Sequence, residues 1–413
     1  MAVEPGIISL LTKGCVESLP DGGLEKKLEE AAGSGRQLRV KLGVDPTAPD
    51  IHLGHTVVLS KLRQFQDQGH RAVLIIGDYT ARIGDPSGVS KTRPQLSAGA
   101  IEANAQTYQE QAWKVLDQDP SRLEVRRNSE WLAPMRLEDI FKLMSASTVA
   151  RILERDDFAN RFNENRAISM LETLYPLLQG YDSVAIDADI ELGGTDQKFN
   201  MLMGRVVQEY YGKPRQVVLT NEILPGTDGV DRMSKSVGNY IGVDEPADEI
   251  FGKVMSIPDT AMITYYRLLT SRTVEEIESI EHGLSDGSLH PRDQKAALAR
   301  ELVARFHDET AAATAENHFN ELFRDKRLTV DAALVECRLE PGDDENGFAY
   351  LPKLLERWFG LTRSEARRRI RQGGVSIADR QVLSEKISIT GLAESTIKVG
   401  KSVKFHGIIK SAG

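Results

Sequence analysis

Two histidines, His52 and His55, stand three residues apart in the segment HLGH, one residue after the proline-containing turn DPTAPD. The segment VKLGV before this turn has the pattern of a buried strand, and the apolar residues after HLGH have helical spacing, so both histidines fall at a helix start. The N–H groups and the dipole of a helix N-terminus favour anions, and two imidazoles add donors for a phosphate. Gly54 between them leaves room for a flat ligand such as adenine. Alone, the segment is equally compatible with a helix start that carries two polar capping residues.

The segment RMSKS, Arg232 to Ser236, places two cations and two hydroxyl groups within five residues of a loop rich in glycine and aspartate. Such a set of side chains suits a mobile clamp on phosphate groups. An exposed basic loop is the alternative interpretation. This order of residue types is unusual, however, and it favours a binding role.

Three further segments place polar side chains where a predicted strand or helix presents them to a ligand. Asp85 in IGDPSG follows a strand and is placed to accept a hydrogen bond from a ligand ammonium. Gln179 and Asp182 in LLQGYD lie on one face of a predicted helix, one turn after Tyr175, and suit a small polar ligand. Asp196 in LGGTDQ follows two glycines that admit a sugar. Taken singly, each segment has an ordinary alternative, which is a tight turn, a solvated helix face or a capped helix start.

A strand–helix–strand unit positions the first of these segments. LRVKLGV (38–44) and AVLIIG (72–77) have the composition of buried strands, and residues 52–68 between them have the apolar spacing of a helix. This unit predicts a parallel α/β sheet. It lacks the G-x-G-x-x-G of dinucleotide-binding proteins, so NAD is not indicated.

The later chain is predicted to alternate between helical and extended segments. Residues 106–162 are predicted to be mostly helical and to interrupt the sheet, and residues 195–211 form another predicted helix. VAIDADIELGG and RQVVLT return to strand character. Helices are predicted from residue 242 to about 327, with a capping box at Thr273 and Glu276.

Charge is distributed unevenly along the chain. The net charge is −9, yet the residues from Phe348 onward include 13 Lys or Arg against 5 Asp or Glu. An acidic body with a basic end predicts that one module binds a polyanion. In that module, SEARRRIRQGG reads as an arginine-rich helix that ends in a glycine turn before a hairpin.

Cysteine content and hydropathy narrow the class of protein further. Cys15 and Cys337 lie far apart and form no CxxC, which argues against a disulfide framework and against a zinc site. No apolar run approaches the roughly 20 residues of a membrane span, and the N-terminus has no signal-peptide or transit-peptide pattern. A reducing cytoplasm is therefore the expected location.

The joint order of these motifs resembles a known family. HLGH and RMSKS resemble the two signatures of class I aminoacyl-tRNA synthetases, and DPTA, GDPSG, LLQGYD and GGTDQ resemble the bacterial-type tyrosyl enzymes of that class. SEARRRIRQGGV resembles the small RNA-binding domain that ends these enzymes. The resemblance implies that ATP, with Mg²⁺, and L-tyrosine give tyrosyl-adenylate and pyrophosphate, after which the tyrosyl group passes to the 3′ end of tRNA(Tyr). It also implies a homodimer and no tightly bound metal.

The resemblance assigns roles to individual residues. The catalytic set that stabilises charge on the phosphates comprises His52, His55, Arg232 and Lys235. The set expected to bind ATP comprises Asp45, Thr47, Gly54, Gly194, Asp196, Ser234 and Lys235. The set expected to bind tyrosine comprises Lys41, Asp85, Tyr175, Gln179, Asp182 and Gln197. The set expected to bind RNA comprises Arg363, Arg367, Arg368, Arg369 and Arg371. Lys91 and Arg93 are weaker candidates for a pyrophosphate contact. Val89 replaces the lysine that the family places directly after GDPSG, so that contact is expected either to be lost or to move to Lys91.

Within the tyrosine set, Asp182 is expected to accept a hydrogen bond from the phenol of the substrate. Many family members place a tyrosine where this chain has Lys41, so Lys41 is expected either to turn away or to engage Asp182. Two other functions stay open at this stage. They are the tryptophanyl enzyme, which shares the architecture, and a non-catalytic paralogue that binds RNA.

The resemblance also implies a domain organisation. A Rossmann-like parallel-sheet catalytic domain is expected over residues 1–242, with a helical insert at about 106–175. An α-helical domain on the anticodon side is expected over 243–340, and a small basic α+β RNA-binding domain over 348–413. The acidic segment PGDDENG, Pro341 to Gly347, is the predicted linker between the last two.

Overall fold

The computed structural model describes residues 4–47, 51–86, 97–235, 237–323, 335–340, 342–343, 347–378, 380–388, 392, 395–399 and 405–410. The chain divides into two compact units, Met1–Phe319 and Asn320–Gly413. The two weaker site candidates, Lys91 and Arg93, lie outside the described residues, as do Val89 and Ser236 of RMSKS.

The first unit contains a six-stranded sheet in the order β1-β6-β5-β2-β3-β4. The pairings from β6 through β4 are parallel, and β1 is antiparallel to β6. The predicted parallel α/β sheet is thereby confirmed. The strands are β1 (Cys15–Leu19), β2 (Arg39–Val44), β3 (Arg71–Ile76), β4 (Leu123–Arg127), β5 (Ile190–Gly194) and β6 (Val217–Asn221).

The interior strand β3 shows why this sheet forms. Five of its six residues, AVLII, are buried, as expected for a parallel strand that is covered on both faces. Helices lie before, between and after the strands of this sheet. They are α1 (Pro5–Thr12), α2 (Gly23–Ser34), α3 (Leu53–Asp67), α4 (Ala98–Ala112), α5 (Ser129–Leu132), α6 (Leu137–Met144), α7 (Val149–Ile152), α8 (Asp156–Asn163), α9 (Met170–Ala185) and α10 (Lys198–Tyr210). Short 3₁₀ turns occupy Thr80–Arg82 and Thr195–Gln197.

The remaining helices of the chain up to residue 323 follow without another strand among the described residues. They are α11 (Ala247–Ser256), α12 (Asp259–Leu269), α13 (Val274–Ser285), α14 (Pro291–Phe306) and α15 (Glu309–Phe323). The predicted capping box opens α13, where Thr273 accepts from the N–H of Glu276 and the Glu276 carboxylate accepts from the N–H of Thr273. None of the described helices has the length and apolar character to cross a membrane.

Two strands of the first sheet are not expected from the sequence, and a third is shorter than expected. The strand β4, LEVRR, lies inside the segment 106–162 that was expected to be mostly helical. Its three charged residues break the apolar pattern that identifies a buried strand. The edge strand β1, CVESL, is likewise not predicted. Within VAIDADIELGG, α9 continues to Ala185 and β5 begins only at Ile190.

The second unit has a core and sheets of its own. A five-stranded sheet runs in the order β10-β9-β12-β13-β7, and β8 pairs with β11. The strands are β7 (Val335–Arg338), β8 (Phe348–Tyr350), β9 (Val375–Ile377), β10 (Arg380–Gln381), β11 (Lys386–Ser388), β12 (Thr396–Val399) and β13 (Phe405–Lys410). Two helices, α16 (Leu351–Phe359) and α17 (Arg363–Arg371), pack on them. The predicted helix and hairpin around the glycine turn are confirmed.

The boundary predicted for this unit is corrected by the structure. The strand β7 pairs in parallel with β13, so it belongs to the second unit and not to the helical domain expected over 243–340. The predicted linker also contains a structural residue. Asp343 is buried, and its carboxylate pairs with the guanidinium of Arg357 and, at 3.4 Å, with the ammonium of Lys353.

Candidate active site

Two adjoining cavities open at the carboxyl ends of the neighbouring strands β2 and β5. The strand order reverses between these two strands, because the sheet continues from β2 to β3 on one side and from β5 to β6 on the other. Ligands of open parallel sheets bind at such a point. The outer cavity has a volume of about 690 Å³, and the inner cavity has a volume of about 290 Å³. Both are lined by Thr47, His55, Val58, Gly194, Asp196 and Arg232.

The histidines of HLGH line the outer cavity at the start of α3. His52 is the N-cap, and its Nδ1 accepts from the N–H of Gly54 at 3.2 Å. The Nδ1 of His55 accepts from the N–H of His52 at 3.2 Å, and the two rings stack with centroids 3.9 Å apart. A Cβ at Gly54 would lie 3.0 Å from the His52 ring, so glycine is needed here for the close approach of that ring as well. The predicted helix start is confirmed, and both histidines face the cavity.

The protonation state of this pair follows from its surroundings. Burial lowers the pKa of His52 to about 3, with smaller contributions from the charges of His55 and Arg232, and burial lowers the pKa of His55 to about 4. Both imidazoles are therefore neutral at pH 7. Because each Nδ1 accepts a backbone hydrogen bond, each proton sits on Nε2. The pair presents two neutral N–H donors and no fixed charge.

The RMSKS loop reaches the same cavity because the chain after it pairs with HLGH. The N–H of Leu53 donates to the carbonyl of Ile241 at 2.9 Å, in a short bridge between His52 and Gly242. Arg232, Ser234 and Lys235 then line the outer cavity, as predicted.

The loop itself is held by Asn239, which no sequence motif indicates. Its side-chain oxygen accepts from the N–H of Ser234 at 2.8 Å, and its amide donates to the carbonyl of Arg232 at 3.2 Å. The guanidinium of Arg232 lies 3.6 Å from the carboxylate of Asp196. A cation of the loop therefore sits beside the acid that was predicted to bind the ribose.

Asp182 lies in the inner cavity with only 4% of its surface exposed. Its carboxylate accepts from the indole N–H of Trp131 at 2.8 Å and from the amide of Asn128 at 3.4 Å. Burial raises the pKa of Asp182 to about 6, although the charge of Lys41 and these two donors oppose the rise. The acceptor is thus still mainly ionised at pH 7. Trp131 and Asn128 follow β4, a strand without a recognisable sequence pattern, and no motif indicates them.

Asp45 and Tyr175 form a second buried group of the inner cavity. The phenol of Tyr175 donates to Asp45 at 2.9 Å, and the hydroxyl of Thr80 donates to the other oxygen of the same carboxylate at 2.8 Å. Burial raises the pKa of Asp45 to about 7. Asp45, which was predicted to bind ATP, lines the inner cavity and not the outer one.

The expected ammonium acceptor Asp85 lies at the inner cavity beside a cation of the protein. The guanidinium of Arg155 lies 3.2 Å from its carboxylate, and the amide of Gln197 donates to it at 2.6 Å. Arg155 is 4% exposed and also contacts Asn200 and Asp157 at 2.9 and 2.7 Å. Asp85 and Gln197 are thus brought together as predicted, whereas Arg155 is not predicted.

Lys41 is fully buried but lines neither cavity. Its ammonium pairs with Glu191 at 2.8 Å and donates to the hydroxyl of Ser183 at 2.8 Å and to the carbonyl of Gln179 at 2.9 Å. The amide of Gln179 also donates to Glu191, at 3.1 Å. The expected contact of Lys41 with tyrosine is therefore wrong. Of the two alternatives for Lys41, the structure has the one in which it turns away from Asp182.

Comparison with known proteins identifies the family. Residues 33–324 match the family model described as tRNA synthetases class I (W and Y). The chain belongs to this family. The tyrosine–tRNA ligase of Moorella thermoacetica is 50% identical over 395 residues, which are 95% of this chain and 94% of that protein. The tyrosine–tRNA ligase of Thermotoga maritima is 47% identical over 401 residues, which are 97% of this chain and 96% of that protein.

Solved structures agree with the fold of this class I synthetase. A C-terminally truncated mitochondrial tyrosyl-tRNA synthetase of Aspergillus nidulans superimposes with a TM-score of 0.64 at 23% identity, over 77% of this chain and 94% of that one. The Archaeoglobus fulgidus tyrosyl-tRNA synthetase, solved with L-tyrosine, superimposes with a TM-score of 0.61 at 22% identity, over 75% of this chain and 99% of that one. At such identities the likeness shows the fold alone.

The second unit of the synthetase carries the five arginines predicted to bind RNA on or at the start of α17. Four of them already have carboxylate partners: Arg363 with Glu356, Arg367 and Arg371 with Glu385, and Arg369 with Glu365. Arg368 is exposed, and its side chain makes no hydrogen bond or ion pair to any residue that the structure describes. Arg371 is 70% exposed, and its partner lies at the outer limit of 4.0 Å. These two side chains are thus the least engaged of the five.

Proposed function

We propose that this class I synthetase is a tyrosine–tRNA ligase. It activates L-tyrosine with ATP to tyrosyl-adenylate, releases pyrophosphate, and transfers the tyrosyl group to the 3′ end of tRNA(Tyr). The observation that carries the proposal is the buried Asp182 carboxylate in the inner cavity, next to an outer cavity lined by HLGH and the RMSKS loop. Relatives that match nearly the whole chain carry this activity in their names.

The inner cavity would bind tyrosine. Its phenol would donate to Asp182, and its ammonium would lie near Asp85, Tyr175 and Gln179, which line the same cavity. Gln197, which bonds to Asp85, would lie near the substrate carboxylate. Phenylalanine would leave the Asp182 carboxylate buried with one partner fewer, and an unpaired buried acceptor is costly. Selection of tyrosine would follow from that cost.

The outer cavity would bind ATP with its Mg²⁺, and Gly194 and Asp196 would meet the ribose. A carboxylate oxygen of tyrosine attacks the α-phosphorus, and the bond from that phosphorus to the bridging oxygen of pyrophosphate breaks. The reaction needs no protein nucleophile, so rate enhancement comes from positioning and from stabilisation of the developing charge. Neutral Nε2–H donors of His52 and His55 would serve that purpose together with the cations of Arg232 and Lys235. Thr47, Gly54 and Ser234 complete the wall of this cavity.

The insert between β3 and β5 supports a homodimer. Its helices expose apolar side chains that an isolated chain would leave in water, among them Leu137 at 64%, Phe141 at 58%, Val149 at 71% and Phe162 at 61% exposure. Met170 at the start of α9 is 74% exposed. Clustered exposed apolar residues are typical of protein interfaces. A second copy of this chain would cover them.

The second unit would bind tRNA(Tyr) through the backbone phosphates of the RNA. Its arginine-rich helix and basic composition favour such contacts, which position a folded RNA without reading its bases. The first unit would comprise a catalytic domain up to residue 242 and a helical domain after it. A cytoplasmic location also belongs to it, since charging of tRNA takes place where translation does.

The deciding experiment is amino-acid-dependent exchange between ATP and pyrophosphate, with tyrosine, phenylalanine and tryptophan compared side by side. The proposal predicts exchange with tyrosine alone, and charging of tRNA(Tyr) by the same preparation. Asp182→Asn is the matched variant, because it keeps the shape of the side chain and removes its charge. Exchange driven by tryptophan would assign the other substrate of this family. A folded protein that exchanges with none of the three would instead be an RNA-binding paralogue.

A further inference from the structure

A third cavity, of about 320 Å³, lies in the first unit outside the proposed active site. The side chain of Val57 on α3 lines both this cavity and the outer cavity of the active site. The other walls come from the end of α1, the end of α12 and the middle of α14. We call it the basic cavity, because Lys13, Lys61, Arg63, Arg267 and Arg305 line it.

Three of these cations contact only uncharged groups. The ammonium of Lys61, a residue with 4% exposure, donates to the carbonyls of Leu10 and Lys13 at 3.0 and 2.9 Å and to the side chain of Gln64 at 2.7 Å. The ammonium of Lys13 donates to two carbonyls of the segment after α12, and the guanidinium of Arg305 donates to one carbonyl and one hydroxyl. None of the three has a carboxylate partner within ion-pair distance among the described residues. The other two lining cations differ, because Arg63 and Arg267 pair with Asp67 and Glu222.

The positive charge at this place exceeds the negative charge that faces it. Lys61 contacts carbonyls at the C-terminal end of α1, and Lys13 contacts the C-cap carbonyl of α12 at Thr270. Each helix end contributes about half a negative charge. Glu301 is the carboxylate among the described lining residues, and it already accepts from Arg272 at 3.1 Å. The two helix ends therefore explain why cations lie here, but they do not balance the charge of all three.

The acid–base properties of the three cations agree with this surplus. Burial lowers the pKa of Lys61 to about 8, and burial also lowers the pKa values of Lys13 and Arg305. Attraction to Glu301 offsets only part of this effect at the latter two. Burial thus disfavours the charged forms of these side chains, and an anion in the cavity would offset that penalty.

We propose that the basic cavity binds a phosphoryl anion through Lys13, Lys61 and Arg305. The volume equals that of about ten water molecules, which is enough for a pyrophosphate group. Lys13 retains one N–H donor and Arg305 retains three beyond those that the structure pairs, so several oxygens of one anion can be bonded at once. Lys61 supplies charge, since its three donors are already used.

The test is calorimetric titration of the full-length protein with pyrophosphate in the absence of magnesium. The wild-type chain is expected to bind two pyrophosphates, one in the active site and one in the basic cavity. Lys235→Ala should remove the first site only, and Lys61→Met should weaken the second at least about tenfold while leaving tyrosine-dependent exchange in place. Lys26→Met is the matched control, because Lys26 is 78% exposed and lies outside the cavity.

Two results would overturn the assignment. One is a single wild-type site that disappears in Lys235→Ala, and the other is an unchanged second site in a folded Lys61→Met protein. If Lys61→Met fails to fold, as circular dichroism will reveal, Lys13→Met must give the tenfold loss, because Lys13 is only partly buried. Excess tRNA as a competitor then distinguishes the source of the phosphoryl group. If tRNA displaces pyrophosphate from the basic cavity, the phosphoryl group belongs to the RNA backbone. If pyrophosphate stays bound, it belongs to a free phosphate compound.

Discussion

The indole N–H of Trp131 offers a precise test of how the inner cavity selects its ligand. Trp131→Phe keeps an aromatic ring in place and removes the one donor that reaches Asp182 at 2.8 Å, which leaves only the amide of Asn128 at 3.4 Å. That donor favours the ionised carboxylate, so its loss must raise the pKa of Asp182 further. The substrate phenol needs an ionised acceptor, and the variant should therefore lose affinity for tyrosine in a pH-dependent way.

The size of this effect follows from the energy of the lost bond. A hydrogen bond to a charged group contributes about 1.5–3 kcal/mol, and one pKa unit corresponds to about 1.4 kcal/mol. The pKa of Asp182 should therefore rise from about 6 to about 7 or above in the variant. At pH 6 the wild-type carboxylate is about half ionised and the variant carboxylate roughly a tenth or less, a difference of about fivefold in affinity. At pH 8.5 the two proteins should differ by less than about twofold if the rise is one unit.

The assay is calorimetric titration with tyrosine at half-unit intervals from pH 6 to pH 8.5. Burial raises the pKa of Asp45 in the same cavity to about 7, so Asp45 affects the pH dependence of both proteins. The quantity to compare is therefore the ratio of the wild-type affinity to the variant affinity at each pH. Trp113→Phe is the matched control, because Trp113 packs against the main core and does not line either cavity. A ratio that stays constant across the pH range would refute the reasoning, since it would show that Trp131 contributes only packing.

Three further perturbations test other parts of the molecule. Lys41→Met leaves the buried Glu191 carboxylate without its ion-pair partner and should lower the free energy of unfolding by about 3–5 kcal/mol. The double variant Lys41→Met, Glu191→Gln should recover most of that loss in urea denaturation, and a loss that is merely additive would contradict the ion-pair explanation. Nitrogen NMR at pH 6 should show His52 as a neutral ring protonated on Nε2, because burial lowers its pKa to about 3, and a charged ring would contradict this. Arg368→Ala should weaken tRNA binding and reduce the salt dependence by about one phosphate contact, whereas Arg369→Ala, whose guanidinium is already paired within its helix, should change filter-binding affinity less than about twofold. Equal effects of these two variants would contradict the distinction between them.

The local pattern of apolar residues in the sequence predicts well those helices and strands in which such residues are continuous or periodic. β2, α3 and β3 are all found within a residue or two of their expected bounds, because each has a continuous or periodic apolar pattern. β1 and β4 are missed, because an edge strand can carry charged and polar residues that a central strand cannot. The end of α9 is placed too early for a related reason, since the apolar residues that follow LLQGYD fit a helix and a strand equally well.

The motifs identify the residues that line the cavities but not the residues that hold them. Asp182 and Asp85 are in the expected place, yet their partners Trp131 and Arg155 lie 51 and 70 positions away in the chain. No local spacing connects residues at such a separation. Lys41 illustrates the same limit, because its choice of Glu191 over Asp182 depends on the register of β2 with β5. Sequence motifs show which groups face a ligand, and only the packed structure shows which groups keep them there.

The charged strand β4 has a consequence for the behaviour of the protein in concentrated solution. It is an edge strand of the six-stranded sheet, so the peptide groups on its outer side have no strand partner among the described residues of this sheet. An exposed edge strand can pair with a strand of another molecule, and such pairing can begin aggregation. Glu124, Arg126 and Arg127 engage in ion pairs there, and an incoming strand would have to break or bury these charges. The residues that make β4 hard to recognise as a strand thus also keep it from joining the sheet of a neighbour.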